Sequence, residues 1–485
     1  MWSTKREEER CRSSRNMSYV YDLFQTRADD VLYFGLEQTT LIRMDLKSYF
    51  PACKKPRRSS RLMVKVVEEQ KVQAISQSPL GYFDILPIEV KFYVLSYLPI
   101  EDLSLLTISS KAMRNLIECY RVSTINARGL GIHSRAHGVM DVERQAEWLA
   151  RYKKLGLLIK RSTCLYATKD RLKIVNDFLT RMMCRNTENC KDRARCIGEL
   201  CFGRFLHTMI AGWDDSECQR SFDCLCTHTS ILKHIKIVVS SKPGAHVGLE
   251  YEVRCFLRRV FLDPCSSTAD KAFWLTRVLK PWPLVQQARL LYLLYGAANE
   301  GTIQWYLMCG MPVEPSFTGQ YFGGISCALG TLHRQSKEWT EDELISILDE
   351  MTSCPEEWIG ENKASLLIAC GEQLTSKMLI SKAINGRITE LSSIITSFCI
   401  VSVKHGYDLG FVMNNVQTIL HSMENSRDRL SFVNSLMDMF KECIFDLHDY
   451  NDTDDEGDDR ELFYLVTAFT EFSKTVIHLA FQQLL

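Results

Sequence analysis

No stretch of this sequence is apolar for long enough to cross a bilayer, which takes about 20 residues in a helix. The longest uncharged, apolar-rich run, from Leu391 to Val403, falls short. The opening MWSTKREEERCRSSRN holds no apolar core of the kind a secretory signal needs, so the protein is expected inside the cell and away from membranes. Net charge is also missing. Lys plus Arg and Asp plus Glu stand at 59 each, which leaves no global field to draw the chain onto nucleic acid or anionic lipid. Direct nucleic-acid binding is not expected, and a charged partner has to be met by a local patch.

The usual signs of chemistry are equally scarce. Nineteen cysteines run from Cys11 to Cys443, an odd number, yet no Cys-x-x-Cys occurs among them. Seven lie between Cys184 and Cys226, with His207, His228 and His234 nearby, which makes a zinc site the rival reading. The tightest pair, Cys224 and Cys226, would point to different faces of a helix and could not easily share one ion. The thiols are therefore read as small buried hydrophobes in a reducing compartment, with no metal, no cofactor and no zinc-bound ligase domain. Gly324-Ile325-Ser326-Cys327 begins like a nucleophile elbow, but Ala328 follows where a second glycine is needed, and no phosphate-binding glycine loop is present. Asp452, Asp454, Glu456 and Gly457 copy the start of a calcium loop, yet its twelfth position is Phe463 instead of a bidentate carboxylate. No catalytic residue is expected.

What is present is helix. At 46 % hydrophobic and 24 % charged, the chain can bury a large core without staples, and its 485 residues suggest about two to four domains. Residues 1–78 read as a partly ordered, polar leader. From about 140 onward, runs such as QAEWLARYKKLGLLIK, IGELCFGRFLHTMIAG and PLVQQARLLYLLYGA space their apolar residues for helices. Thr340 and Glu343 have capping-box spacing, with Glu341 and Asp342 suited to the first turn. Regular alternating strands, a fixed repeat period, and the propeller and leucine-rich signatures are all absent. The expected class is all-α: a small N-terminal helical unit over 79–122, then a large irregular helical domain over 140–485, with solenoid stacking as the alternative arrangement. The acidic run DLHDYNDTDDEGDDRE, 446–461, is expected as an extended loop between two C-terminal helices.

The small unit is the most informative part. FDILPIEVKFYVLSYLPIEDLSLLTISSKAMRNLI, residues 83–117, is densely apolar and twice interrupted by Leu-Pro. Its punctuation predicts three short helices: Pro87 suits a first helical turn, Pro99 ends that helix, and Glu101-Asp102 suit the next N-terminus. About 35 residues cannot bury that many apolar side chains among themselves, so some of the surface wants a partner.

Leu86-Pro87-x-Glu89-Val90, Val94-Leu95-Ser96-Tyr97-Leu98, Asp102-Leu103, Leu105-Leu106 and Ser110-Lys111 resemble, in order and spacing, the F-box motif. Where that family usually has Trp this chain has Met113, which fills an apolar groove adaptably but with less rigid area. The resemblance implies docking on a Skp-type adaptor, which joins the chain to a cullin scaffold and a RING subunit. The adaptor-facing residues it implies are Leu86, Pro87, Val90, Val94, Leu95, Leu98, Leu103, Leu106 and Met113. LGLLIKRSTCLYATKDRLKIV, AGWDDSECQRSFDCLC, FWLTRVLKPWPLVQQARLLYLLYG and KEWTEDELISILDEM extend the likeness into the body of a family member that carries no common repeat module. The function implied is a non-catalytic substrate receptor of a ubiquitin ligase. A non-catalytic nuclear scaffold that keeps a degenerate motif for packing is the alternative.

Two further sets of residues are candidates for recognition. The basic run containing Lys54, Lys55, Arg57 and Arg58 suits nuclear import, which puts the nucleus ahead of the cytoplasm. Trp274 and Trp282, beside Arg277 and Lys280, could anchor an acidic or phosphorylated protein substrate, with helix core, the commoner use of such a pattern, as the alternative.

Overall fold

The computed structural model describes residues 60–123, 141–182, 196–450 and 456–484. The chain divides into two compact units, Met1–Ser78 and Pro79–Leu485. Within the first, helix α1 spans Ser60–Ser76.

The second unit begins with a 3-10 turn, Gly81–Ile85, and three short helices: α2 (Ile88–Ser96), α3 (Ile100–Ser109) and α4 (Lys111–Val122). Pro87 and Pro99 stand immediately before α2 and α3, where a missing amide costs nothing because those first N–H groups have no helical partner. Glu101 and Asp102 occupy the first turn of α3, next to the positive end of its dipole. Ser110 closes α3 and caps α4, accepting from the Met113 amide at 3.0 Å. The trio is as its punctuation predicts.

The body follows as α5 (Val142–Ser162), α6 (Thr168–Met182), α7 (Gly198–Ile210), α8 (Asp215–Thr229), α9 (Ile231–Ser240) and α10 (Val247–Leu257), the last running on through a π turn, Arg258–Leu262. After α11 (Thr268–Leu279) and α12 (Leu284–Tyr295), strands β1 (Ala298–Asn299) and β2 (Thr302–Ile303) make one antiparallel pair, Ala298 opposite Ile303. Then come the short α13 (Leu307–Gly310), α14 (Thr318–Gln335), α15 (Glu341–Thr352), α16 (Gly360–Cys370), α17 (Glu372–Ile384), α18 (Ile388–His405), α19 (Gly410–Ser422), α20 (Ser426–Tyr450) and α21 (Glu456–Leu484). The fold is all-α.

From α11 to α20, with the short α13 set aside, each helix packs against the next but one. One row runs α11, α14, α16, α18, α20, and the other α12, α15, α17, α19. That is solenoid stacking, in which each repeat buries its apolar faces against its neighbours. Unequal repeats hide it from the sequence: α16 spans Gly360–Cys370 whereas α18 spans Ile388–His405, so no constant period survives. The trio lies on the first helices of the body, with α3 on α5 and α5 on α7, and α7 reaches α11 through the π turn Arg258–Leu262. Arg161 Nη1 donates to Ser104 Oγ at 2.9 Å across that junction, and Lys154 pairs with Glu101. Leu95, Leu103, Leu116, Ile117 and Tyr120 of the trio belong to the same apolar core as the body.

Several local expectations can be read directly. Thr340 and Glu343 form a reciprocal capping box, at 3.2 Å from the Glu343 amide to Thr340 Oγ1 and 3.0 Å from the Thr340 amide to Glu343 Oε2. The expectation of buried thiols holds only in part: of the fifteen described cysteines five are buried, among them Cys201, Cys226 and Cys399, each pushed up to about 12 by burial, while Cys119, Cys164 and Cys327 are exposed. Cys226 sits in the core, whereas the Cys224 sulfur accepts from Asn176 Nδ2 at 3.1 Å. Ser326 lies mid-helix in α14 with its hydroxyl donated to the Gly323 carbonyl at 3.2 Å, not on a strand-to-helix elbow. The acidic run differs from the expected loop. Residues 446–450 continue α20 to its end, and 456–461 begin α21, where carboxylates in the first turn are favoured by the helix dipole. Asp452 and Asp454 fall outside the described residues.

Candidate adaptor-docking surface

The trio sorts its apolar side chains into two sets. Leu95, Leu103, Leu116, Ile117 and Tyr120 point inward, with the Phe92 ring 5.7 Å from that of Tyr120. Ile85, Ile88, Val90, Tyr93, Val94, Tyr97, Leu105 and Ile108 point outward, between 42 % (Val94) and 75 % (Tyr97) exposed. A concentration of large apolar side chains on so small a unit marks an interaction surface. Val90, Tyr93, Val94 and Tyr97 recur at intervals of three and four, so they line one face of α2. The Tyr93 and Tyr97 rings meet edge to face at 5.5 Å.

Internal polar contacts hold that face in place. Lys91 is turned inward, with its amine 3.4 Å from Asp84 Oδ1, which ties the 3-10 turn to α2. Arg114 Nε donates to the Thr107 carbonyl at 3.1 Å, tying α4 to α3.

Of the nine adaptor-facing residues read from sequence, Pro87, Val90 and Val94 are exposed. Leu86, Leu98, Leu106 and Met113 are half-buried. Leu95 and Leu103 require correction, since at 2 % exposed each they are the trio's own core and cannot face a partner. The motif match names apolar positions without assigning them a side. Ile85, Ile88, Tyr93, Tyr97, Leu105 and Ile108 were missed, although helical spacing from Val90 and Val94 was enough to find the two tyrosines.

The aromatic and basic cluster in the body also requires correction. Trp274 is 3 % exposed, its ring 5.2 Å from Phe261, 6.3 Å from Phe222 and 5.0 Å from Phe273. Trp282 is half-buried against the core. Arg277 pairs with Glu338 at 2.9 Å. The Lys280 amine contacts Glu343 Oε1 at 2.6 Å and the Glu338 carbonyl at 2.9 Å, 4.3 Å from the Trp339 ring centroid. Both cations are used within the fold, stapling α11 to the connection between α14 and α15. Aromatic anchors beside cations look the same in sequence whether they meet a ligand or a neighbouring helix. Lys54, Lys55, Arg57 and Arg58 lie outside the described residues.

Three short helices with an apolar face outward, packed on the start of an α-solenoid, define an all-helical protein of the repeat class. The family model described as "FBXO47, ARM repeats" matches residues 227–454, within the solenoid. F-box only protein 47 of Homo sapiens is 36 % identical over 410 residues, covering 83 % of this chain and 90 % of that protein. F-box only protein 47 of Mus musculus is 35 % identical over the same shares. The chain belongs to the F-box only protein 47 family. No solved structure matches it.

Proposed function

We propose that this chain is the substrate-recognition subunit of a Skp-cullin-F-box type ubiquitin ligase. Residues 79–122 dock a Skp-type adaptor, which brings the cullin and its RING subunit, and the solenoid carries a protein substrate. The chain itself performs no chemistry. The observation that supports this most is the outward face of Val90, Val94, Leu105 and Ile108 on a trio whose own core is already closed by Leu95 and Leu103. Burying such a face on a partner is favourable at about 25 cal/mol per Å².

The test is capture of adaptor and cullin by the full-length chain. Val94→Glu with Ile108→Glu puts charge on the exposed face without touching the core, and is expected to abolish capture while helical circular dichroism stays unchanged. Undiminished capture by that variant would overturn the reading.

Nuclear residence belongs to the same proposal and is supported by the basic run. Replacing Lys54, Lys55, Arg57 and Arg58 with Ala is expected to shift a fluorescently tagged chain toward the cytoplasm. An unaltered distribution would reassign the run to a solvated linker.

A further inference from the structure

Charge balances over the whole chain, yet two of its segments lack one sign entirely. From residue 224 to 249, and again from 271 to 299, there is no Asp or Glu. The fold brings them side by side. Arg289 Nη1 donates to the carbonyls of Val239 and Ser241 at 3.1 and 3.2 Å, and Gln286 Nε2 reaches Ser240 Oγ at 3.4 Å. The start of α12 therefore lies beside the end of α9.

On this joint Ile237 is 45 %, Leu284 37 % and Val285 43 % exposed. Lys233, Lys236 and Lys242 are exposed on the same segment, and none of their side-chain amines has a hydrogen-bond or ion-pair partner among the described residues. Lys233, Lys236 and Ile237 stand at i, i+3 and i+4 on α9, so cations and an aliphatic group share one helix face. The contrast with Arg277 and Lys280 is chemical: those cations already hold Glu338 and Glu343, whereas these three meet no carboxylate.

We propose that the α9–α12 joint docks an acidic, aliphatic peptide segment of a partner protein. Its aliphatic side chains rest on Ile237, Leu284 and Val285, and its carboxylates meet Lys233, Lys236 and Lys242. Charge complementarity selects this occupant, because an uncompensated positive surface in an otherwise balanced chain attracts acid and repels base. The aliphatic component favours protein over nucleic acid. A single-strand binder needs exposed aromatic rings on which to stack bases, and this joint offers branched aliphatic side chains instead. That the segment belongs to a ubiquitination substrate rests on the receptor reading above; the docking itself does not.

The experiment selects peptides from a random phage-displayed library on the immobilised full-length chain. A parallel selection uses the Lys233→Glu, Lys236→Glu, Lys242→Glu variant, whose exposed positions leave the core untouched. Peptides enriched on the wild type are expected to combine Asp or Glu with aliphatic residues. They should bind the charge-reversed variant at least about tenfold weaker, lose affinity with added salt, and bind an Ile237→Ser, Val285→Ser variant more weakly. Their Glu→Lys counterparts should recover binding to the reversed variant. Several results would overturn the proposal: no enrichment over bare support, enrichment without acidic bias, or equal binding to both chains. So would a poly-dT oligonucleotide that binds the wild type and loses the reversed variant while the peptides do not. Adaptor capture measured on the same proteins keeps the two readings apart, because a wild-type chain that holds the peptides but captures no adaptor removes the receptor reading and leaves the joint standing.

Discussion

His207 shows how a single buried residue becomes a pH-dependent weakness. Its ring lies on α7, 5.8 Å from that of Trp274, and burial lowers its pKa to about 4. The folded chain keeps it neutral, while the unfolded chain takes up a proton near pH 6.5. Stability from this site is therefore complete above the unfolded value and lost as pH falls from there toward 4, by roughly 3 kcal/mol at most. Denaturant unfolding measured between those pH values is expected to show the decline, and His207→Gln to flatten it. An unchanged slope in the variant would assign the acid sensitivity elsewhere. The same environment explains why the sequence leaves Trp274 open between two uses, since tryptophan beside arginine and lysine fits both a binding anchor and a packed helix. Only Phe222, Phe261 and His207 converging on its ring decide for the core.

At the scale of the element, α2 has two faces that fail differently. Val90 and Val94 are exposed whereas Leu95, one residue further on, is buried. Leu95→Ala is expected to cost about 2–5 kcal/mol through the cavity it leaves and to lose adaptor capture by loosening the trio. Val94→Glu is expected to lose capture at unchanged stability. Thermal melts run beside capture assays separate the two, and a Leu95→Ala chain as stable as wild type would contradict the assignment of that residue to the core. The existence and limits of these helices were legible because Pro87, Pro99 and Glu101-Asp102 mark them by local chemistry. Which side faced outward was not, because within so short an apolar helix almost every position looks suitable for burial.

For the whole molecule, the consequence lies at the junction where α3 packs on α5. Trio and solenoid share one apolar core, reinforced by Arg161 on Ser104 and Lys154 on Glu101. Removing residues 79–122 uncovers the face of α5 that α3 occupies. Such a deletion is expected to melt several degrees below the full chain by calorimetry and to bind more of a dye specific for exposed apolar surface. Identical melting would mean that the two parts fold independently. Point substitutions on the outward face are for that reason the cleaner way to uncouple adaptor from substrate.

The sequence by itself determined the all-α class, the trio with its boundaries, the capping box at Thr340 and Glu343, and membership of the F-box family. Each rests on local rules: helical spacing, proline and serine punctuation, and a motif held within one short segment. Periodicity alone left the solenoid open, because unequal repeat lengths give no constant period; the tertiary pairing of helices next but one shows it, in agreement with the ARM-repeat family match. Tertiary structure also decided that the Arg277 and Lys280 side chains are engaged while those of Lys233, Lys236 and Lys242 meet no carboxylate among the described residues. A lysine looks the same in sequence in either case, and whether a carboxylate reaches it depends on segments that only folding brings together.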